Sequence, residues 1–301
     1  MVALNVDILK KLGKFTKDIK KELIDIVKEN ISLLEITEFV ENKITDNGYI
    51  PAFPCTICIN EQAAHFTVYD EDITLKKGDV VKVDFGVCYQ GFITDTAFTV
   101  EIGTDKYRDL LETNRNALDA ALKIADFGVT MGEIGSVVHN VAKEKGFETI
   151  HNLSGHQIGN NDLHCGIHVP NYNNSSQEKI TVDMELAIEP FLTVGDPLIK
   201  ESKSGNILHL KQFKPVRDPI AKKVLEYIRN NHPVLPFSKR WLLKEFNKNK
   251  INYAINILKR NNIIIEYNIL VSNNNQIISQ FEETIIFTDK KEKIVITNIE
   301  N

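Results

Sequence analysis

The stretch VVKVDFGVCYQGFITDTAFTVE (80–101) decides the fold. Two runs rich in β-branched and aromatic residues flank Gln90-Gly91, which predicts a β-hairpin with a two-residue turn. With that turn Gly86 faces Asp95, and Asp84 lies two residues along on the same face, so the two carboxylates are diagonal neighbours with Cβ atoms about 7–8 Å apart. Gly86 would then leave room above the strand for cations. A different turn length would instead give two solvent-facing aspartates on an edge hairpin.

Three further side chains in or beside apolar stretches extend this acidic pair. They are His156 in NLSGHQIG, Glu189 in LAIEPF and Glu282 in SQFEETIIF. A buried charge is costly unless something pairs with it, and four carboxylates with one imidazole can hold two divalent cations that activate water. Two alternatives stay open from the residues alone. Glu189 could pair with a Lys or Arg, and Glu283 fits the strand pattern as well as Glu282 does.

The composition is that of an ordinary globular protein. Of the 301 residues, 43% are hydrophobic and 26% are charged, which suits one large domain or one domain with an insert. The net charge of −5 gives no electrostatic basis for nucleic-acid binding. No apolar run approaches the roughly 20 residues of a membrane span, and the first residues, MVALNVDILKKLGK, lack the pattern of a signal peptide. We therefore expect a cytoplasmic protein with neither nucleic acid nor membrane as a partner.

The four cysteines allow two interpretations. Cys55 and Cys58 have the C-x-x-C spacing of zinc and redox sites, but Cys88 and Cys165 do not form a second close pair that would complete a structural zinc site. Reduced cysteines that pack in a core are the alternative for a cytosolic protein. The sequence leaves the role of Cys55 and Cys58 open.

Hydrophobic periodicity and capping residues predict the elements around the hairpin. The predicted helices cover 7–29, the segment from the Ser32 capping box to before Asn47, and residues 105–126, 131–145, 219–230 and 242–260. Strands and hairpins are predicted within 49–103, 184–195, 276–288 and 293–298. The helix-rich segment between Glu189 and Glu282 therefore looks like an insertion in an α+β unit.

The chain resembles the methionine aminopeptidases of type II in several stretches. They are PAFP (51–54), INEQAAHFT (59–67), KVDFG (82–86), TDTAFT (94–99), NLSGHQIG (152–159), IHVPNY (167–172), AIEPF (187–191) and QFEET (280–284). The resemblance implies the α+β pita-bread fold, with an antiparallel sheet and flanking helices, in the short archaeal-style form. It implies a catalytic domain at 1–195 and 272–301 and an inserted helical, winged-helix-like subdomain at 196–271, where LPFSKRWL (235–242) matches.

Carried over position by position, the resemblance assigns roles to the five side chains. It makes Asp84 a ligand of one metal, Asp95 and Glu282 bridging ligands, and His156 and Glu189 ligands of the second metal. It chooses Glu282 over Glu283 because the family pattern reads Q-F-E-x-T. Cobalt, manganese, iron and zinc all suit such a site, and the sequence does not say which is used.

The resemblance also implies the reaction, in which water between the two ions attacks the first peptide carbonyl. Glu189 would accept the proton, His164 would hydrogen-bond the carbonyl oxygen or the oxyanion, and His65 would lie over the amino terminus of the substrate. The implied walls of an apolar pocket for methionine are Phe53, Leu163, Phe191 and Ala254. His209 lies in a stretch that often borders this site, but its register is not fixed by the sequence.

The expected substrates are peptides and nascent chains that begin with methionine, with a small second residue. Transient contact with ribosomes follows from that substrate class, although no basic patch indicates it, and the resemblance implies a monomer. Two rival functions stay in view. An enzyme of the same fold that removes a residue preceding proline would use the same five ligands. A non-catalytic relative that binds partners is expected to lose ligands, and all five are present.

Overall fold

The computed structural model describes residues 3–70 and 72–299. The predicted domain limits at 1 and 301 lie outside these residues. Within them the chain forms six α-helices and one 3₁₀ helix. The α-helices are α1 (Val6–Ile26), α2 (Leu33–Asp46), α3 (Arg108–Ile124), α4 (Met131–Glu144), α5 (Pro219–Asn231) and α6 (Lys248–Arg260), and the 3₁₀ helix is Lys239–Lys244. None of the helices in these residues is both long and apolar enough to cross a membrane.

Sixteen strands in the described residues form four sheets, and all their pairings are antiparallel. The first eight strands are β1 (Ile50–Pro51), β2 (Thr56–Ile59), β3 (Gln62–Ala64), β4 (Val80–Tyr89), β5 (Phe92–Glu101), β6 (Glu148–Thr149), β7 (Ser154–Gly159) and β8 (Asp162–Pro170). The others are β9 (Met184–Ile188), β10 (Phe191–Thr193), β11 (Ile199–Leu210), β12 (Phe237–Ser238), β13 (Ile264–Ser272), β14 (Ile278–Gln280), β15 (Glu283–Phe287) and β16 (Lys293–Val295).

The predicted hairpin forms with the predicted register. Tyr89 pairs with Phe92 and Gly86 with Asp95 across β4 and β5. Both turn residues have positive φ, 52° at Gln90 and 85° at Gly91, as a two-residue turn of type I′ requires. The hairpin therefore brings Asp84 and Asp95 to one face, as the sequence predicted.

The helices predicted in the first half of the chain are confirmed, and they cover the sheets. Ser32 and Thr130 cap α2 and α4 with complete capping boxes. Helix α1 packs on β4 and β5, while α3 and α4 pack on each other and on strands of the other sheets, among them β8 and β10. The main hydrophobic core lies between these helices and the sheets, so the apolar stripe of each helix supplies the burial that stabilises it.

The segment 196–271 is less helical than the sequence predicts. The single predicted helix 242–260 is divided, because the Asn247 side chain accepts a hydrogen bond from the Lys250 amide and starts α6 only there. The long strands β11 and β13 were missed. Residues 200–204 of β11 are all polar and exposed or half-exposed, and two register shifts interrupt its pairing with β13, so no clean alternation marks it as a strand. Helices α5 and α6 share a separate apolar core with parts of β11 and β13.

The predicted strand 276–288 breaks at Phe281 and Glu282. Strand β14 joins β10 in one sheet and β15 joins β9 in another. At the break the backbone of Glu282 pairs with Ala97 on β5, with hydrogen bonds of 3.0 and 3.3 Å. This change of sheet places Glu282 where three sheets meet.

Cys55 and Cys58 both lie in the main hydrophobic core as free thiols. Burial raises the pKa of Cys58 to about 12 and that of Cys55 well above its usual range. Burial thus favours the protonated thiols, the form that suits packing in the core.

Candidate metal centre

Five side chains from different elements line one cavity of about 140 Å³. They are Asp84 on β4, Asp95 on β5, His156 on β7, Glu189 immediately after β9, and Glu282 between β14 and β15. Residues separated by almost 200 positions therefore meet at the junction of the sheets.

The central three of these groups lie close together. Asp95, His156 and Glu282 each offer one ligand atom, and the three atoms lie within 4.8 Å of one another. Nε2 of His156 is 3.5 Å from Oδ2 of Asp95 and 3.7 Å from Oε1 of Glu189. Carboxylate oxygens and an imidazole nitrogen at this spacing form a donor set that suits divalent transition metals.

The buried carboxylates lack protein partners for part of their charge. Oδ1 of Asp84, Oδ1 of Asp95 and Oε1 of Glu282 have no hydrogen-bond partner among the described residues. Burial raises the pKa of Asp84 to about 7, although Gln280 and Thr56 donate hydrogen bonds to it. Burial, followed by the charges of neighbouring carboxylates, raises the pKa values of Asp95, Glu189 and Glu282 well above their usual range. Such a group is stable in its charged form only when a cation joins it.

The surroundings of His156 disfavour the charged form of its imidazole. Burial lowers its pKa well below the usual range, and His164 lowers it further. The two rings meet edge to face with their centroids 4.3 Å apart. Burial thus favours the neutral imidazole, whose nitrogen lone pair can bind a cation.

Hydrogen bonds around the cavity hold the residues that carry the clustered side chains. The Asp95 amide donates to the Thr284 hydroxyl at 2.8 Å, and that hydroxyl donates to the Asp95 carbonyl at 2.6 Å. Nε2 of Gln280 donates to Oε2 of Glu189 at 3.2 Å. Partners of this kind orient metal ligands in advance of binding.

Gly86 does not leave the open space above β4 that the sequence suggested. A Cβ atom at this position would lie 2.8 Å from Cε1 of Phe53 and 2.6 Å from the Thr94 carbonyl oxygen. The space beside Gly86 is thus filled by a wall of the cavity, and the glycine is needed for the close approach of Phe53.

His65, immediately after β3, and His164, on β8, line the same cavity. Burial lowers the pKa of His65 to about 4, with a contribution from His164, and burial lowers the pKa of His164. His65 has a φ of 69°, and its carbonyl oxygen would be only 1.7 Å from a Cβ on Gly205. Glycine at 205 therefore lets β11 approach and hold His65 in its left-handed conformation.

Three of the four predicted pocket walls border the cavity, namely Phe53, Leu163 and Phe191. Ala254 does not. It is fully buried on α6 in the separate core of the inserted segment, because its helix turns that face toward α5.

The segment 196–271 supplies other wall residues, two of them on strands that the sequence did not predict. Ile207 on β11, Tyr267 on β13 and Pro236 line the cavity, and Tyr267 meets the His65 ring edge to face at 5.3 Å. His209 is two residues beyond Ile207 on β11 and is not among the lining residues. The apolar run GNILHL (205–210) at the end of β11 is the sequence signal for Ile207. Its use would require the register of β11 against its neighbouring strands.

Comparison with known proteins finds a matching family and similar methionine aminopeptidases. A model of the metallopeptidase family M24 matches residues 7–217. A methionine aminopeptidase of Methanocaldococcus jannaschii is 38% identical over 278 residues, which are 92% of this chain and 93% of that protein. A methionine aminopeptidase of Pyrococcus abyssi is 37% identical over 296 residues, 98% of this chain and 99% of that protein.

A solved structure also superposes on almost the whole chain. The structure of a thermophilic Arx1 matches with a TM-score of 0.81 at 15% identity, covering 98% of this chain and 91% of that one. At this identity the likeness concerns the fold alone.

Proposed function

The chain belongs to metallopeptidase family M24, and we propose that the carboxylate and imidazole cluster described above is its catalytic metal centre. It has the pita-bread fold of that family and is a methionine aminopeptidase of the type II, archaeal kind, which removes methionine from the N-terminus of peptides. The observation that carries the proposal is the set of buried carboxylate oxygens without partners.

The charge of the cluster fits two divalent ions. Four carboxylates supply about four negative charges, which two such ions would neutralise. Asp84 would bind one ion, His156 and Glu189 the other, and Asp95 and Glu282 would contact both. When bound, such ions act as Lewis acids that polarise a peptide carbonyl and make water nucleophilic near neutral pH.

The residues of the chain supply the proton transfer and the orientation. Glu189 borders the cavity beside His156 and is proposed to accept the proton of the attacking water. Burial lowers the pKa of His164 and so favours the neutral imidazole, which is proposed to donate one hydrogen bond to the carbonyl oxygen as negative charge develops there. His65 is proposed to contact the amino-terminal end of the substrate.

The apolar walls account for the preference for methionine. Phe53, Leu163 and Phe191 border the cavity together with Ile207 and Tyr267. Aliphatic and aromatic surfaces of this kind suit an unbranched, polarizable thioether. A small second residue in the substrate, such as Gly, Ala or Ser, stays a prediction from the family resemblance.

We further propose that residues 1–195 and 272–301 form the catalytic domain and that 196–271 are an inserted, winged-helix-like subdomain. The separate apolar core of α5 and α6 supports this division. The insert also lends Ile207, Pro236 and Tyr267 to the cavity, so it would shape the substrate site. From the substrate class and the family resemblance we also propose a cytoplasmic location, a monomeric state and transient contact with ribosomes.

Release of amino acids from three peptides tests the function. Metal-stripped protein is incubated with Met-Ala-Ser, Leu-Ala-Ser and Met-Pro-Ala, before and after addition of Co²⁺ or Mn²⁺. We expect metal-dependent release of methionine from the first peptide and little leucine from the second. Release from the proline-containing peptide alone would favour the proline-directed reaction, and no release with either metal would contradict catalysis.

A matched pair of variants tests the centre itself. Glu282→Gln removes the charge of a proposed ligand, whereas Glu266→Gln removes the charge of a buried carboxylate that already pairs with lysines. We expect the first variant to lose metal-dependent release and the second to retain it. Equal activity of Glu282→Gln and the unaltered chain would refute the assigned site.

A further inference from the structure

Lys20 is a fully buried lysine on α1 that lies directly behind the metal centre. Its side chain and that of Glu283 are both 0% exposed, and Nζ donates to Oε1 of Glu283 at 2.8 Å. The same Nζ donates to Oγ1 of Thr96 at 2.8 Å and approaches the carbonyl oxygen of Glu282 at 3.4 Å. Lys20 thus contacts the strand break that carries a proposed metal ligand.

The direction of these hydrogen bonds follows from the donors available. A lysine ammonium can only donate, so Thr96 accepts from Lys20. The single hydroxyl proton of Thr96 can then be donated to the Glu282 carbonyl, 2.9 Å away, which is nearer than Oε2 of Glu283 at 3.4 Å. Lys20 therefore orients the hydroxyl that holds the Glu282 peptide, while the Glu282 carboxylate projects into the cavity.

The Glu283 side of the pair reaches the second proposed bridging ligand. Oε2 of Glu283 accepts a hydrogen bond from Thr297 at 2.6 Å, and the Thr297 hydroxyl accepts from the Thr284 amide at 2.8 Å. Thr284 in turn bonds both the amide and the carbonyl of Asp95. One buried network thus connects Lys20 to the backbones of Glu282 and Asp95.

We propose that Lys20 is a positioning residue for the metal centre. With Glu283 it fixes the backbones of Asp95 and Glu282, so that their carboxylates keep the spacing required to share cations. This inference rests on the proposed function, because it takes Asp95 and Glu282 as metal ligands. It assigns a role in metal binding to a residue of the first helix that has no contact with the cavity.

Stabilisation of the fold does not by itself explain why this ion pair is buried. Replacing a buried ion pair by apolar residues of similar volume is often neutral or stabilising, whereas removing one partner leaves a costly charge. The Lys20–Glu283 pair should therefore be dispensable for folding when both members are replaced together. The network of this pair reaches the backbones of two proposed metal ligands, and that connection explains why the pair is present.

The affinity for Mn²⁺, measured by calorimetry on metal-stripped full chain, tests the proposal. We expect Lys20→Met to weaken Mn²⁺ binding about tenfold or more, which is typical for the loss of an outer partner of a metal ligand. Thr96→Val keeps the side-chain shape, removes the orienting hydroxyl and should weaken binding in the same direction. Unchanged Mn²⁺ affinity in both variants would overturn the proposal.

The double variant Lys20→Met/Glu283→Met separates positioning from stability. It removes both fully buried charges, and Arg115, 3.9 Å from Glu283, is 22% exposed and stays in reach of water. We therefore expect the melting temperature to return toward that of the unaltered chain while the Mn²⁺ affinity stays weak. Recovery of both quantities together would show a purely structural role and overturn the proposal.

Lys239→Met is the control for the loss of a lysine that pairs with a carboxylate elsewhere in the chain, at a side chain that is 11% exposed. It breaks the pair of Lys239 with Glu266 in the inserted segment, away from the backbones of the proposed ligands. We expect this variant to lose stability without any change in Mn²⁺ affinity. A weakening of Mn²⁺ binding equal to that in Lys20→Met would show a general effect of destabilisation and overturn the specific role of Lys20.

Failure of this inference is distinguishable from failure of the proposed site. Glu282→Gln is measured in the same experiment and should lose Mn²⁺ affinity if the site is correct. Weak binding in Glu282→Gln with normal binding in Lys20→Met and Thr96→Val would remove only the role of Lys20. Normal binding in Glu282→Gln would remove the site and the inference with it.

Discussion

Two regions of the molecule bury carboxylates in opposite ways. In the inserted segment Glu266 is 5% exposed at its side chain and forms ion pairs with both Lys239 and Lys259. At the junction of the sheets, Oδ1 of Asp84 and Oδ1 of Asp95 are also buried, yet neither atom has a hydrogen-bond partner among the described residues. The chain thus provides cations for its structural carboxylate and leaves the charge of the central ones uncompensated.

The pKa directions express the same difference. Burial alone would raise the pKa of Glu266, but hydrogen bonds from Lys239, Lys259 and Ser204 lower it overall. Burial raises the pKa of Asp84 to about 7 because its hydrogen bonds are too few to offset it. A buried acidic group that no cation of the protein neutralises is a candidate binding site for a cation from solution.

The largest effect is expected when the proposed general base is changed. Glu189→Gln should reduce methionine release from Met-Ala-Ser about 10²–10⁴-fold, because it removes a proton acceptor and a ligand charge. Steady-state release at saturating Mn²⁺ measures it. Glu266→Gln, the paired counterpart, should stay within a few-fold of the unaltered chain, and equal losses in the two variants would erase the contrast between the regions.

His164→Ala should reduce turnover about 10²–10³-fold, the usual effect of removing one donor to a developing oxyanion. The loss should appear in kcat with little change in Mn²⁺ affinity, since His164 is not a proposed ligand. His139→Ala, on α4 and hydrogen-bonded to Thr149, is the control for a histidine that does not line the cavity. A loss of Mn²⁺ affinity as large as the loss of kcat would give His164 a different role.

Neutralising a central carboxylate should stabilise the metal-free protein. A raised pKa means that folded Asp84 binds a proton that the unfolded chain has released, so its contribution to stability falls as pH rises from about 4 to about 7. The advantage of Asp84→Asn over the unaltered chain should therefore grow across this window to about 1–3 kcal/mol and then level off. Urea unfolding at several pH values in a chelator measures it.

Glu266→Gln should behave in the opposite way. The pKa of Glu266 is lowered in the folded state, so the ion pairs stabilise the protein above the unfolded pKa and this contribution is lost as pH falls through the folded value. The variant should thus be less stable than the unaltered chain at neutral pH and nearly equal to it in acid. A gain of stability at neutral pH in Glu266→Gln would contradict the comparison.

Glu185 gives the smallest and sharpest test. It is 3% exposed on β9, its Oε1 has no hydrogen-bond partner among the described residues, and it is not among the residues that line the cavity. Burial raises its pKa well above the usual range. Glu185→Met should stabilise the protein by about 1 kcal/mol and leave Mn²⁺ affinity unchanged, and weakened Mn²⁺ binding would extend the centre to this residue.

The central hairpin is predictable because a two-residue turn fixes the register of every pair around it. Gln90-Gly91 therefore places Asp84 and Asp95 on one face by a local rule, and the observed register agrees. Capping boxes likewise locate the start of α2 and α4. Local rules suffice where the deciding contacts are close in sequence.

Long-range contacts set the limit of prediction. The choice between Glu282 and Glu283 depends on a strand break and on Lys20, more than 260 residues away, which no local pattern reveals. Strands β11 and β13 escaped because exposed polar residues and register shifts hide their alternation. The resemblance implied that Ala254 is a wall of the substrate pocket, but α6 packs with Ala254 buried in the separate apolar core of the inserted segment.

The most direct test of the central claim is a calorimetric titration of the metal-stripped chain with Mn²⁺, with methionine release from Met-Ala-Ser measured on the same samples. We predict that two ions bind per chain and that activity appears as they bind. In Asp95→Asn we predict the loss of Mn²⁺ binding and of methionine release. Full methionine release by the stripped protein, or unchanged Mn²⁺ binding in Asp95→Asn, would contradict the account.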